Sequence, residues 1–135
     1  MKKKSVISLN RVSEAFDLFR DLLTPSIEDC RDERVYVDIG DYVHLMNDKE
    51  RLTRIRWIAE TITNPEEVRK GHLRTKPFRE VYINTVYESE EVTIGKPFIV
   101  GVDRKYGRLD FRTAMVPTPA YLSKVKKGAL LWQAP

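Results

Sequence analysis

The sequence predicts an α+β fold, with helices in its first half and a small antiparallel sheet in its second. Three observations carry this expectation. Apolar residues recur every three or four positions from Ala15 to Leu23 and again from Leu52 to Ile62, the spacing of one helix face. From Phe78 onward Val, Ile, Thr and Tyr are frequent, the types that fit a pleated surface. The run Asp103-Arg104-Lys105-Tyr106-Gly107 supplies turn chemistry between two strand-like segments, which predicts a hairpin over residues 98 to 115.

The elements follow in order. Ser13 is a plausible cap for a first helix through about Leu23, with Ala15, Phe16, Phe19, Leu22 and Leu23 on one stripe and Pro25 beyond its end. Residues 24 to 34 show no apolar pattern, so they read as a connection. Residues 1–34 are therefore expected to form an N-terminal helical appendage, and 35–135 the main α+β domain. Val35-Tyr36-Val37 is a short β-type run, and Asp41 to Met46 fits either a helix or a strand. From about Asp48, the positions Leu52, Ile55, Ala59 and Ile62 mark a helix whose Arg51, Arg54 and Arg56 lie away from the apolar seam.

Asn64-Pro65-Glu66-Glu67 carries the marks of a helix start: Asn at the cap, Pro at the first position, carboxylates at the positive end, and Gly71 as a stop. Phe78 to Glu88 reads as a strand. Phe98-Ile99-Val100-Gly101-Val102 is apolar on both faces, as a central strand would be. Leu109, Phe111, Thr113 and Met115 alternate along the returning strand, Tyr121 to Lys126 fits a helical turn after Pro117 and Pro119, and Leu130-Leu131-Trp132 adds a short last strand.

Composition narrows the function classes. A chain of 135 residues with 41% apolar and 33% charged residues is expected to form a soluble, folded core. Its single cysteine, Cys30, has no partner for an internal disulfide, and no Cys/His set has the spacing of a zinc site. The basic start Met1-Lys2-Lys3-Lys4 lacks the apolar segment of a signal peptide, and no run approaches the roughly 20 apolar residues of a membrane span. A cytoplasmic protein without a membrane partner is expected. Residues 49 to 79 hold nine Lys/Arg against four Asp/Glu, whereas residues 1 to 48 hold seven against ten. A cationic middle of this kind attracts phosphate polyanions, although a solvated helix face gives the same count.

The residues able to carry chemistry are few. His44 stands near an element boundary beside the cationic segment, and imidazole is the side chain that exchanges protons near neutral pH. Cleavage of RNA through its own 2′-OH needs such a group, with a fixed cation for the charged phosphorane. His72, after Gly71, reads as a loop residue or as a second acid/base histidine. Arg51, Arg54, Arg74 and Arg79 are candidate phosphate contacts, and Thr113 is either a phosphate ligand or a satisfied hydroxyl at the core rim. Tyr82, Tyr87, Tyr106 and Trp57 are base-stacking candidates or packing groups. Markers of P-loop, Rossmann, zincin and α/β-hydrolase chemistry are absent, and no metal or cofactor is called for.

Asp41-Tyr42-Val43-His44, Asn64-Pro65-Glu66-Glu67-Val68, Phe98-Ile99-Val100-Gly101-Val102, Phe111-Arg112-Thr113-Ala114 and Lys127-Gly128-Ala129-Leu130-Leu131-Trp132 together resemble the phage and polymorphic-toxin members of the barnase, EndoU, colicin and RelE-like nuclease superfamily. The likeness runs from about Val35 to Trp132. It implies N-terminal helices packed on a four-stranded antiparallel sheet, with RNA held across the open sheet face. Carried over by position, it implies His44 as the proton-transfer residue, one of the helix arginines or Arg79 as the phosphate-binding cation, and Thr113 as a hydroxyl contact from the sheet. The expected catalytic set is thus His44, Arg79 and Thr113, and from their charge and ring types Arg51, Arg54, Arg74 and Tyr82 are the expected substrate contacts. The expected activity is metal-independent endoribonuclease action, with RNA and an inhibitor or antitoxin protein as partners. Where related sequences continue the histidine into a second basic or His-Pro pair, Leu45-Met46-Asn47-Asp48 stands here. That departure leaves a second expectation, a non-catalytic nucleic-acid-binding or adaptor protein of phage or mobile-element origin.

Overall fold

A computed structural model of the chain describes residues 12–46, 54–88 and 91–135. In chain order these residues form α1 (Val12–Leu23), β1 (Ser26–Glu28), β2 (Arg34–Tyr36), α2 (Ile39–Met46), α3 (Ile55–Thr63), β3 (Glu67–Lys70), β4 (Arg79–Val86), β5 (Lys96–Lys105), β6 (Arg108–Met115), α4 (Pro119–Val125) and β7 (Leu130–Gln133). The strands make one sheet in the order β1-β2-β6-β5-β4-β3-β7. The fold is α+β as expected, but the sheet has seven strands, not four, and it is mixed, because β2 runs parallel to β6. The strands β2 and β7 fall on the short runs expected at Val35-Tyr36-Val37 and Leu130-Leu131-Trp132, whereas β1 and β3 escape a sequence reading because three or four residues are too few to show a period.

The central hairpin follows local chemistry. Tyr106 and Gly107 form its two-residue turn with φ of 55° and 74°, a left-handed pair that matches the twist of the flanking strands. As its two apolar faces predict, β5 lies in the middle of the sheet, between β4 and β6. Its even residues Phe98, Val100 and Val102 face the main core with Tyr82 and Val86 of β4, while Ile99 joins Val81 and Ile83 in a smaller cluster on the opposite face.

The main core holds Ala15, Phe19 and Leu23 of α1 and Ile55, Trp57, Ile58 and Ile62 of α3, all at 1% exposure or less. Thus α1 packs in the same core as the later strands, and β1 adds an edge to the same sheet. The uncertain segment after Val37 is α2, begun by Asp38 and Asp41: Gly40 N–H donates to Asp38 Oδ2 at 3.0 Å, and Asp38 N–H donates to Asp41 Oδ2 at 2.8 Å. Tyr42 then lies edge-on to Phe16 and Phe19.

Asn64-Pro65-Glu66-Glu67 does not start a helix. Asn64 ends α3, its N–H donating to Glu60 O at 2.8 Å, and Glu67–Lys70 is a strand between β4 and β7. Glu66 N–H donates to Ile83 O at 2.8 Å. A helix of a few residues cannot recover its nucleation cost alone, whereas two flanking strands satisfy this segment's backbone at once. Tertiary pairing overrides the cap signal here.

Candidate active site on the open sheet face

The second face of the sheet is only partly covered. Thr118 caps α4, accepting from Tyr121 N–H at 3.1 Å, with Pro119 at the first helical position. Leu122 and Val125 of this helix, with Tyr121, pack against Val81, Ile83, Ile99 and Met115. Beside that cluster a narrow cleft remains, lined by Gly71, His72, Leu73, Arg79, Val81, Ile99, Gly101, Thr113 and Tyr121.

A β-bulge aims Thr113 into this cleft. Gly101 pairs with Thr113 and Val102 with Phe111, so Arg112 is the extra residue on β6. Leu109 and Phe111 therefore face the main core before the bulge, Ala114 faces it after, and Thr113 turns to the other face. In a regular strand Thr113 would share the core face with Phe111, as the simple alternation in the sequence implies. The bulge separates them.

Two glycines make room for Arg79. A Cβ on Gly71 would lie 2.7 Å from Arg79 Cβ, and a Cβ on Gly101 would lie 2.9 Å from Thr113 Cγ2 and 3.2 Å from Arg79 Nη1. Gly71 N–H also donates to Arg79 O at 2.8 Å, which brings the 71–78 loop back onto the start of β4. His72 follows, its ring edge-on to Tyr121 with centroids 5.4 Å apart.

Asp103 holds the cation in place. Arg79 Nε donates to Asp103 Oδ1 at 2.7 Å, and Arg112 Nε donates to Asp103 Oδ2 at 3.0 Å. Burial works to raise the Asp103 carboxyl, but these two guanidinium bonds outweigh it and keep the group below its ordinary range. Each arginine is gripped through Nε, so its terminal amino groups point onward.

Sequence-expected residues separate on this framework. Arg79 and Thr113 meet in the cleft, and the histidine beside them is His72. His44 is exposed on α2, which the cleft lining does not include; burial raises the Asp41 carboxyl on the same helix, with the bond from Asp38 N–H and then Arg112 and His44 opposing the shift. Tyr82 is fully buried, with its OH donating to Asp29 Oδ2 at 2.7 Å and accepting from Arg31 Nη2 at 3.1 Å. No ring face there is open to a base. Trp57 is likewise interior, edge-on to Phe98, with the Arg54 guanidinium 5.3 Å from its ring centre. Arg74 is exposed on the 71–78 loop, and Arg51 lies outside the described residues. Tyr121 and Asp103 had no marker in the sequence beyond their types. Gly101 was the available signal, since a glycine inside a central strand marks a close approach.

A comparison with protein families matches residues 12–133 to the phage-Barnase-EndoU-ColicinE5/D-RelE like nuclease2 family. The chain belongs to that nuclease family. The match includes α1 and β1, consistent with their place in the common core and sheet. Neither the curated proteins nor the solved structures gave a match. Among the described residues no group of three or more His, Cys, Asp or Glu is placed to hold a metal ion, and no helix is long and apolar enough to cross a membrane.

Proposed function

We propose that this nuclease-family chain cleaves RNA by transesterification, with the scissile phosphate seated over Gly101. The observation that carries the reading is the convergence of His72, Arg79, Thr113 and Tyr121 on one cleft. The free volume among them is about 20 Å³, enough for one water-sized group such as a phosphate oxygen. The rest of the nucleotide would lie across the open face. Arg79 offers its terminal N–H groups to the non-bridging oxygens, where they counter the charge that grows in the phosphorane. Thr113 donates its hydroxyl to one of those oxygens. Asp103 is a positioning residue that fixes Arg79.

His72 is the proton-transfer residue in this reading, in the role that the sequence assigned to His44. The 2′-oxygen loses its proton to a base and attacks phosphorus; the bond to the 5′-oxygen breaks, and that oxygen takes up a proton. The products are a 2′,3′-cyclic phosphate and a 5′-hydroxyl. Imidazole suits either transfer near neutrality. The test is purified protein incubated with RNA in EDTA. Cyclic-phosphate ends are expected, and cleavage that depends on added metal would contradict the mechanism. Binding without any turnover would favour the adaptor reading.

A further inference from the structure

The sheet ends in two edges of different character. At one end β1 has three residues, Ser26-Ile27-Glu28, and its apolar side chain, Ile27, packs against the main core. At the other end β7 pairs with β3 alone and carries Leu130 and Leu131 at 46% and 41% exposure. Exposed apolar side chains on an edge strand are a template for a further strand.

The backbone of β7 is arranged for that pairing. Lys70 N–H donates to Ala129 O at 2.8 Å and Ala134 N–H to Glu66 O at 2.9 Å, so the pairs Arg69 with Leu130 and Glu67 with Gln133 are of the kind that exchange no bonds with each other. The N–H and C=O groups of Leu130 and Gln133 therefore point outward, away from β3. Trp132, opposite Val68, packs against the main core and anchors the strand. Leu131 is the extra residue of a bulge, because Val68 faces Trp132 and Arg69 faces Leu130.

Charge beside this edge selects the occupant. Lys124, Lys126 and Lys127 are exposed on the approach to β7, and the sequence holds no Asp or Glu after Asp110. Lysines and a bulge are devices that keep like edges apart, so they disfavour a second copy of this chain. An acidic strand meets attraction from the same lysines. A nucleic-acid backbone meets it too, but its phosphates have nothing to bury against Leu130 and Leu131. We propose that β7 is a docking edge for an extended, acidic segment of a partner protein. Bonds to the outward groups of Leu130 and Gln133 hold that segment, its apolar side chains cover the two leucines, and its carboxylates lie by the three lysines. In the order β4-β3-β7 the added strand lies three strand spacings from β4, about 14 Å. Arg79 and the cleft stay open, so the contact tethers the protein without blocking its site. The docking edge is independent of the ribonuclease reading.

The test uses the full chain and two short synthetic peptides, one alternating Val and Glu and one alternating Val and Lys, with amide hydrogen exchange followed residue by residue. The acidic peptide should slow exchange at Leu130 and Gln133, and the basic one should not. A proline at the centre of the acidic peptide removes a backbone donor and should abolish the slowing. The double variant Lys126→Glu, Lys127→Glu changes exposed side chains only. It should bind the acidic peptide roughly 10-fold more weakly, the sum of a few surface charge pairs. No slowing at millimolar acidic peptide would overturn the docking edge, as would unchanged binding in the double variant. Slowing confined to the 71–78 loop would overturn it in favour of simple attraction to the cleft. Slowing of Leu130 and Gln133 by a single-stranded RNA in place of the peptide would give the edge to nucleic acid, and a sizing-column mass of two chains with those amides already slow would give it to a second copy.

Discussion

On one side of β4, Glu80 and Tyr82 enter a closed ionic network; on the other, one residue away, Arg79 reaches into an open cleft. In the network, Arg31 donates to Asp29 Oδ2 at 3.0 Å, to Glu80 Oε1 at 2.8 Å and to Tyr82 Oη, while Arg104 bridges Glu80 and both oxygens of Glu33. Asp29, Glu80 and Tyr82 are at most 5% exposed, and burial followed by the bond to Asp29 pushes the Tyr82 phenol far up. Every charged partner there is used within the fold. At the cleft, Asp103 grips Arg79 through Nε alone, and Arg112 from the neighbouring strand in the same way, which leaves the outer N–H groups of Arg79 for something else. The same residue types thus serve stability on one face and availability on the other, and a count of arginines in the sequence cannot separate the two.

The comparison predicts that activity and stability divide along β4. Arg79→Ala should lower RNA cleavage by about 10²- to 10³-fold, as loss of one preorganised donor does, while the urea midpoint changes little; a large stability loss with normal cleavage would reverse the assignment of faces. Glu80→Ala should behave oppositely. It leaves Arg31 and Arg104 without their shared buried carboxylate and should cost about 3 kcal/mol in urea unfolding, with cleavage of the remaining folded protein unchanged.

A smaller effect is expected at the bulge. Thr113→Val keeps the shape but removes the hydroxyl, and cleavage should fall roughly tenfold, near 1.4 kcal/mol for a hydrogen bond to a charged group. Unchanged kinetics would place Thr113 at the rim of the core only. Acid should act on the network by a further increment. The bonds from Arg104 hold the Glu33 carboxyl below its ordinary 4.5, so this contribution is fully present above that pH and is lost as pH falls through the folded-state value. Replacing Glu33 with Gln should flatten that part of the stability profile, and an unaltered profile would exclude Glu33 as its source.

The parts of the fold fixed by neighbours in the chain were legible in the sequence. The α1 stripe of Ala15, Phe19 and Leu23 and the turn at Tyr106-Gly107 are local, and both form where periodicity and turn chemistry put them. Glu67–Lys70 was not legible, because β4 and β7, distant in sequence, decide that it is a strand. For the same reason the site was only half visible. Arg79 and Thr113 stood out by type and setting, but the direction of Thr113 depends on one extra residue in β6, and the choice between two histidines depends on a loop folding back onto Arg79.

The central claim is that the histidine beside Arg79 and Thr113 moves the proton, and a paired measurement tests it most directly. His72→Ala and His44→Ala are compared for cleavage of one RNA in EDTA, each with a circular dichroism melt to show that it is folded. The account predicts that His72→Ala loses at least about 10²-fold, in line with removal of a general acid or base, while His44→Ala stays within a few-fold of the parent. Full activity in folded His72→Ala, with loss in His44→Ala, would contradict it.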